Sequence, residues 1–197
     1  MKLIENILAD NVKDRLKRIL LSDGFDWLYN SSTARIIPGN KNAIEDSNTR
    51  DSIQFTHNLF TDVRFESEYV EYVIKIMKAL KEKEGIICTT MLRAKCNLIP
   101  QDISYNIDQY HPPHIDSKDA NDNTYTLVYY VNDSDGDTFV FNEKYGDEFT
   151  DLTIAHRQTP KEGSALLFKS TNYHASSSPI NIKSRIVINI VFESDEA

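Results

Sequence analysis

The run Arg185-Ile186-Val187-Ile188-Asn189-Ile190-Val191-Phe192 is apolar on both faces of a strand, which narrows the folds open to this chain. Side chains alternate across a strand, so Ile186, Ile188 and Ile190 lie on one side and Val187 and Val191 on the other. Such a strand has to be covered on both sides. Arg185 and Asn189 share the face of Val187 and Val191. A guanidinium buried there without a partner costs several kcal/mol, so Arg185 implies that something acidic is brought against it.

Upstream, the second half of the chain reads as short strands punctuated by Gly, Pro, Asn and Asp. They fall at 89–98, 104–107, around His114 and Asp116, and at 125–131, 138–141 and 164–168. The first part has helical spacing instead. Leu3, Ile4, Ile7, Leu8, Val12, Leu16, Ile19, Leu20 and Leu21 form one apolar series, closed by Gly24 as a C-cap. A second helix is predicted over about 67–84, with Val70, Val73, Ile74, Ile76, Met77 and Leu80 on its apolar side. The polar stretch Asn40–Ser52 has no period and reads as a mobile loop, a candidate lid. Helices followed by many short strands predict an α+β chain. The expected architecture is a double-stranded β-helix (jelly roll) with N-terminal helices packed on one sheet. The length of 197 residues suits a single domain, helical over about 1–87 and jelly roll over about 88–193.

The formal net charge of −8 disfavours a phosphate-backbone partner, and no basic stripe is visible. No stretch approaches the ~20 apolar residues of a membrane span, and the start lacks a signal-peptide core. The chain therefore reads as a cytoplasmic protein. Its two cysteines, Cys88 and Cys96, make neither a disulfide framework nor a zinc knuckle and read as reduced structural thiols.

His114-Ile115-Asp116 is the chemical centre of the sequence. In a strand the i and i+2 side chains reach the same face, so both can bind one ion. His174 follows 58 residues after Asp116, and Arg185 follows 11 later. Two imidazoles and a carboxylate on one side of an iron leave three positions open, the facial triad of non-heme Fe(II) oxygenases. His111 at i−3 falls on the opposite face and reads as a supporting or surface residue. His57 and His156 have no partner in sequence and read as structural or solvent-facing. The acidic run Asn132–Asp137 fails the EF-hand spacing and reads as a solvated turn.

From Tyr105 to Phe192 the chain resembles the prolyl 4-hydroxylase branch of the Fe(II)/2-oxoglutarate-dependent dioxygenases. The stretches that carry the resemblance are Tyr110-His111-Pro112-Pro113-His114-Ile115-Asp116, Thr126-Leu127-Val128-Tyr129-Tyr130-Val131-Asn132, Gly136-Asp137-Thr138-Phe139, 160–168, Tyr173-His174 and the Arg185 strand. By that resemblance His114, Asp116 and His174 are the iron ligands, and Arg185 anchors the C5 carboxylate of 2-oxoglutarate. Arginine in place of lysine there is similar to the hypoxia-sensing type. Tyr130 matches a tyrosine that supports 2-oxoglutarate. Tyr105 stands where another contacts the co-substrate, with a spacing to His114 one residue short.

The implied reaction consumes O2 and 2-oxoglutarate, releases succinate and CO2, and hydroxylates a C–H bond, with ascorbate as a supporting reductant. A peptidyl proline is the leading substrate. A free amino acid or another small metabolite is the alternative, and a non-catalytic metal-binding jelly-roll module is a second one. The demethylases of alkylated nucleic acids would place another arginine where Val191 stands. The sequence leaves the oligomeric state open.

Overall fold

The computed structural model describes residues 1–37, 41–61 and 64–195. The elements run β1 (Lys2–Ile4), α1 (Asp10–Leu20), β2 (Leu28–Asn30), β3 (Gln54–Thr61), β4 (Arg64–Phe65), α2 (Val70–Glu84), β5 (Thr90–Pro100), β6 (Thr124–Tyr130), β7 (Thr138–Lys144), β8 (Ile154–Gln158), β9 (Ala165–Lys169), β10 (Asn172–Ser176) and β11 (Ser184–Glu193). Strands β1-β9-β6-β11-β5-β3-β2 form the larger sheet, with β4 paired to β3, and β10-β7-β8 form the smaller one. Every registered pair is antiparallel. This is the expected double-stranded β-helix with helices on one sheet.

The alternation on β11 organises the layers. Ile186, Ile188, Ile190 and Phe192 enter the core between the larger sheet and the helices, where they meet Leu16 and Leu20 of α1 and Val73, Ile76 and Leu80 of α2. Val187 points the other way, into the space between the sheets, with Val128, Tyr130, Val140, Leu166 and Phe168. Each fully buried aliphatic side chain contributes about 1.5–3 kcal/mol, so both coverings of β11 are substantial. No helix among the described residues is long and apolar enough to cross a membrane.

Several expectations are corrected. The single helical series from Leu3 to Leu21 divides: residues 2–4 pair with β9 as a strand, and Asn6 at φ 52° turns the chain before α1 begins. Asparagine tolerates that conformation better than most side chains. Gly24 does not cap α1, whose C-cap is Leu21. Gly85, at φ 74°, does cap α2. Ile74 on α2 is exposed, and Tyr72 takes a buried place instead. The segment 104–107 is a turn rather than a strand, and residues 1–87 hold four strands besides the two helices. The run 132–137 is solvated only in part: Asp133 is exposed, but Ser134, Gly136 and Asp137 are buried. Asp137 pairs with Arg157, and Asp135 accepts from the Asn181 and Ile182 backbone.

The predicted mobile loop Asn40–Ser52 begins outside the described residues, at Asn40. From 41 to 50 it is a strap fastened to the strand-poor side of the barrel. Ile44 donates to Pro113 and Arg50 to Tyr110, while the Tyr110 hydroxyl meets Asp46 and that of Tyr173 meets the Lys41 carbonyl. Ile44 packs against the buried cluster of Tyr110, Ile115, Phe139, Phe141 and Tyr173.

Candidate active site

Pro112 and Pro113 cannot donate backbone hydrogen bonds, so the chain reaches His114 unable to continue a ladder. The strand expected through His114 and Asp116 is reduced to two isolated antiparallel bridges at His114. His114 N donates to the His174 carbonyl at 2.9 Å, and His174 N returns the bond at 3.0 Å. On its other flank His114 bridges Ala43 of the strap. The bridge to His174 sets the two imidazoles side by side, with ring centroids 4.6 Å apart.

His114, Asp116 and His174 each offer one ligand atom, and those atoms lie within 4.8 Å of one another. Nδ1 of His114 lies 3.0 Å from the Pro112 carbonyl, and Nδ1 of His174 lies 3.2 Å from that of Asn172. A carbonyl only accepts, so both Nδ1 atoms carry a proton, and in the neutral imidazole Nε2 is the atom left with a lone pair. Burial, followed by the neighbouring His174, pushes His114 down to about 3, which leaves it neutral at physiological pH. Nε2 of His174 is buried without a hydrogen-bond partner, 3.4 Å from an Asp116 oxygen.

Asp116 has a side chain only 2% exposed. Arg93 pairs with one of its oxygens, and Thr126 Oγ1 at 3.0 Å and Asn189 Nδ2 at 3.1 Å donate to the other. Burial pushes this carboxyl up, but Arg93, followed by the two imidazoles, holds it well below the usual carboxylate range. Two imidazole nitrogens and an ionised carboxylate, with one nitrogen buried and bonded to nothing, fit a divalent ion such as Fe(II).

Arg185 shares one cavity with His114 and His174, walled also by Asn97, Val187 and Asn189. It is 3% exposed and forms no ion pair among the described residues. Its Nε donates to the Gly136 carbonyl at 2.9 Å and Nη2 to Thr138 Oγ1 at 2.8 Å, which leaves further N–H groups for a ligand. The Tyr130 hydroxyl donates to the same Thr138 oxygen at 2.9 Å, so the Thr138 proton is free, and Thr138 lines the cavity. Burial pushes the Tyr130 hydroxyl up to about 12 and keeps it a donor. Tyr105 takes another place. Its hydroxyl donates to the Arg50 carbonyl at 2.8 Å, and its ring packs edge-on against His111. His111 is fully buried, bonded through its ring nitrogens to Ser176 and Ser178, and burial with nearby Arg185 holds it neutral, down to about 3.

Gly136 is what lets Arg185 lie flat. A Cβ there would stand 2.5 Å from the Ser177 carbonyl oxygen, 2.9 Å from Pro179 N and 3.1 Å from Arg185 Cδ. The first two neighbours are backbone and cannot swing aside. Gly136→Ala is expected to weaken 2-oxoglutarate binding and lower the unfolding free energy by about 1–3 kcal/mol. A denaturation curve and a co-substrate titration with unchanged values would contradict the close packing.

Sequence reasoning missed Arg93, Thr126, Thr138 and Asn97. Thr126 shares a face of β6 with Val128 and Tyr130, a signal that the alternation contained. Arg93 and Asn97 come from β5, and only the register with β11 shows where they point.

Residues 101–193 match the model of the 2OG-Fe(II) oxygenase superfamily. No curated protein sequence matches the chain significantly. Among solved structures the fold is similar to a prolyl hydroxylase from Trichoplax adhaerens in complex with a hypoxia inducible factor oxygen degradation domain peptide fragment (TM-score 0.54, 16% identity, 98% of this chain and 83% of that one). It is also similar to a Pseudomonas putida prolyl-4-hydroxylase (0.54, 14%, 98% and 91%) and to the non-heme alpha ketoglutarate dependent epimerase SnoN from nogalamycin biosynthesis (0.59, 12%, 97% and 77%). At these identities the likeness is one of fold. The match over 101–193 spans every candidate ligand and Arg185, so this part of the chain is similar to the 2-oxoglutarate- and Fe(II)-dependent oxygenases, on a fold shared with prolyl hydroxylases.

Proposed function

We propose that His114, Asp116 and His174 hold Fe(II), that Arg185 binds the C5 carboxylate of 2-oxoglutarate, and that the enzyme hydroxylates a C–H bond, with a peptidyl proline as the leading substrate. The observation that carries this reading is the shared cavity. At one place it presents a buried imidazole nitrogen without a hydrogen-bond partner, and at another a buried guanidinium that pairs with no carboxylate among the described residues. A divalent cation and a dicarboxylate answer those two needs together.

When bound, Fe(II) supplies the activation of O2 and 2-oxoglutarate supplies the electrons that its decarboxylation releases. The chain's part is to bind and orient. Pro112 and Asn172 carbonyls fix the imidazole tautomers, and Arg93, Thr126 and Asn189 fix the carboxylate rotamer. Arg185 and the Thr138 hydroxyl, itself steadied by Tyr130, receive the far carboxylate. Tyr105 acts at one remove, by packing against the His111 that holds Ser176 on the cavity wall. The strap 41–50 covers the flank of His114 and shields it from water.

The reading takes residues 1–197 as one catalytic unit, supported by β1 closing against β9 and β3 against β5. It places the enzyme in the cytoplasm, with ascorbate keeping the metal reduced. The test is succinate release from 2-oxoglutarate with Fe(II), ascorbate and prolyl peptides. A peptide gaining one oxygen on its proline, in step with succinate, is the expected result. Succinate formed with a free amino acid and with no peptide would move the substrate to the small-molecule alternative.

A further inference from the structure

β5 carries a further cation, Lys95, on its face turned between the sheets. Ala94 and Cys96 point into the core under the helices, so Arg93, Lys95 and Asn97 face the space between the sheets. Arg93 reaches Asp116 and Asn97 lines the cavity. Lys95 stands between them, opposite Asn189 of β11 and Asn58 of β3. Both facing side chains are uncharged amides. The Lys95 ammonium makes no hydrogen bond or ion pair with any described residue. Burial, followed by nearby Arg93, pushes it down to about 8, with Asp116 acting in the opposite sense.

An ammonium of this kind, mostly withdrawn from water and without a partner, needs an anion. Asp116 makes no hydrogen bond or ion pair with it; the carboxylate accepts from Arg93, Thr126 and Asn189. Nor does the C5 carboxylate of 2-oxoglutarate, which Arg185 receives in the reading above. Arg185 and the level of Lys95 are four residues apart along the ladder, about 13 Å at the usual strand rise. With Fe(II) offset by the two charges of 2-oxoglutarate, the cations Arg93, Lys95 and Arg185 outweigh the single carboxylate of Asp116. The rest of the chain is acidic, at −8, so this local surplus is not a general property of its surface.

We infer that Lys95 anchors a carboxylate of the molecule that is hydroxylated, which makes the substrate an anion at the position nearest the metal. The inference rests on the Fe(II)/2-oxoglutarate reading and refines it. The carboxylate is that of a free amino acid, or that of an Asp or Glu beside the target residue of a peptide.

The test is equilibrium binding by ligand-observed NMR, on the full chain loaded with Zn(II) and 2-oxoglutarate so that nothing turns over. The probes are the common free amino acids, their C-terminal amides, and acetylated Xaa-Pro amides in which Xaa is Asp, Asn, Glu or Gln. Carboxylate probes are expected to bind in preference to their amides. Lys95→Gln is expected to weaken them about tenfold or more, with Lys95→Arg keeping most of the affinity. Binding by free acids or by acidic Xaa-Pro amides identifies the source of the carboxylate. Equal binding of acids and amides, equal binding by wild type and Lys95→Gln, no carboxylate bound at millimolar concentration, or a loss confined to 2-oxoglutarate would each overturn the inference. The visible absorption of the Fe(II)·2-oxoglutarate complex is recorded on the same proteins. If wild type lacks it, the oxygenase reading fails and takes this inference with it; if it is present, any failure belongs to Lys95 alone.

Discussion

Asp116→Ala is expected to abolish Fe(II) binding and with it all 2-oxoglutarate turnover, in a protein that still folds. Losing a hydrogen bond that supports a metal ligand typically costs 10–100-fold in affinity, and losing the ligand itself costs more. Asp116 is the only anionic member of the set, so its removal also leaves the ion facing neutral imidazoles beside the Arg93 cation. Asp116→Asn separates the causes. It keeps the shape and an oxygen for Thr126 and Asn189 but removes the charge, and it too should fail to hold iron. Metal content after equilibration with Fe(II) without oxygen, together with a circular dichroism spectrum, checks both variants. Iron retained at the wild-type level in either would remove Asp116 from the metal site.

Arg185→Ala should leave the metal untouched and raise the 2-oxoglutarate requirement on the order of 100-fold. The estimate follows from charge-assisted hydrogen bonds worth about 1.5–3 kcal/mol each, at 1.4 kcal/mol per tenfold. Arg185→Lys should recover part of the loss, because an ammonium keeps the charge but not the two-pronged geometry. Tyr130→Phe should do less damage than either. It removes only the bond that steadies Thr138, while Arg185 keeps its own contacts to Gly136 and Thr138. The measurement is the apparent KM for 2-oxoglutarate beside the iron content of each variant. An unchanged KM in Arg185→Ala would place the co-substrate elsewhere. Iron lost together with co-substrate affinity would mean that the variant disturbs the whole pocket.

What the sequence revealed, and what it hid, follows from how local each signal is. β11 was legible because both of its faces are apolar over consecutive residues, and the placement of Arg185 and Asn189 on the inner face follows from the same alternation. His114 and Asp116 were legible as a pair, but the strand assumed for them was not there. Two prolines prevent a ladder, and a single bridge to His174 does the aligning. β10, which carries His174, is short and mixed in polarity, so it gave no period to read. The strand Lys2–Ile4 was hidden because Leu3 and Ile4 also fit the helical spacing that follows them. The strap 41–50 looked like a mobile loop because it has no side-chain period, yet its order comes from backbone bonds to Tyr110 and Pro113 that composition does not encode. Arg93, Asn97 and Lys95 needed the β5–β11 register, a long-range property absent from any local window.

The most direct test of the central claim is an anaerobic titration of the metal-free protein with Fe(II) and then 2-oxoglutarate, followed by visible absorption. A 2-oxo acid bound through its carboxylate and keto oxygen to Fe(II) gives a weak charge-transfer band. The account predicts that the band grows to a stoichiometric end point in wild type and is missing from Asp116→Ala. A wild-type protein that binds Fe(II) at His114, Asp116 and His174 but develops no band with 2-oxoglutarate would contradict it, and would leave a metal-binding jelly roll without the co-substrate.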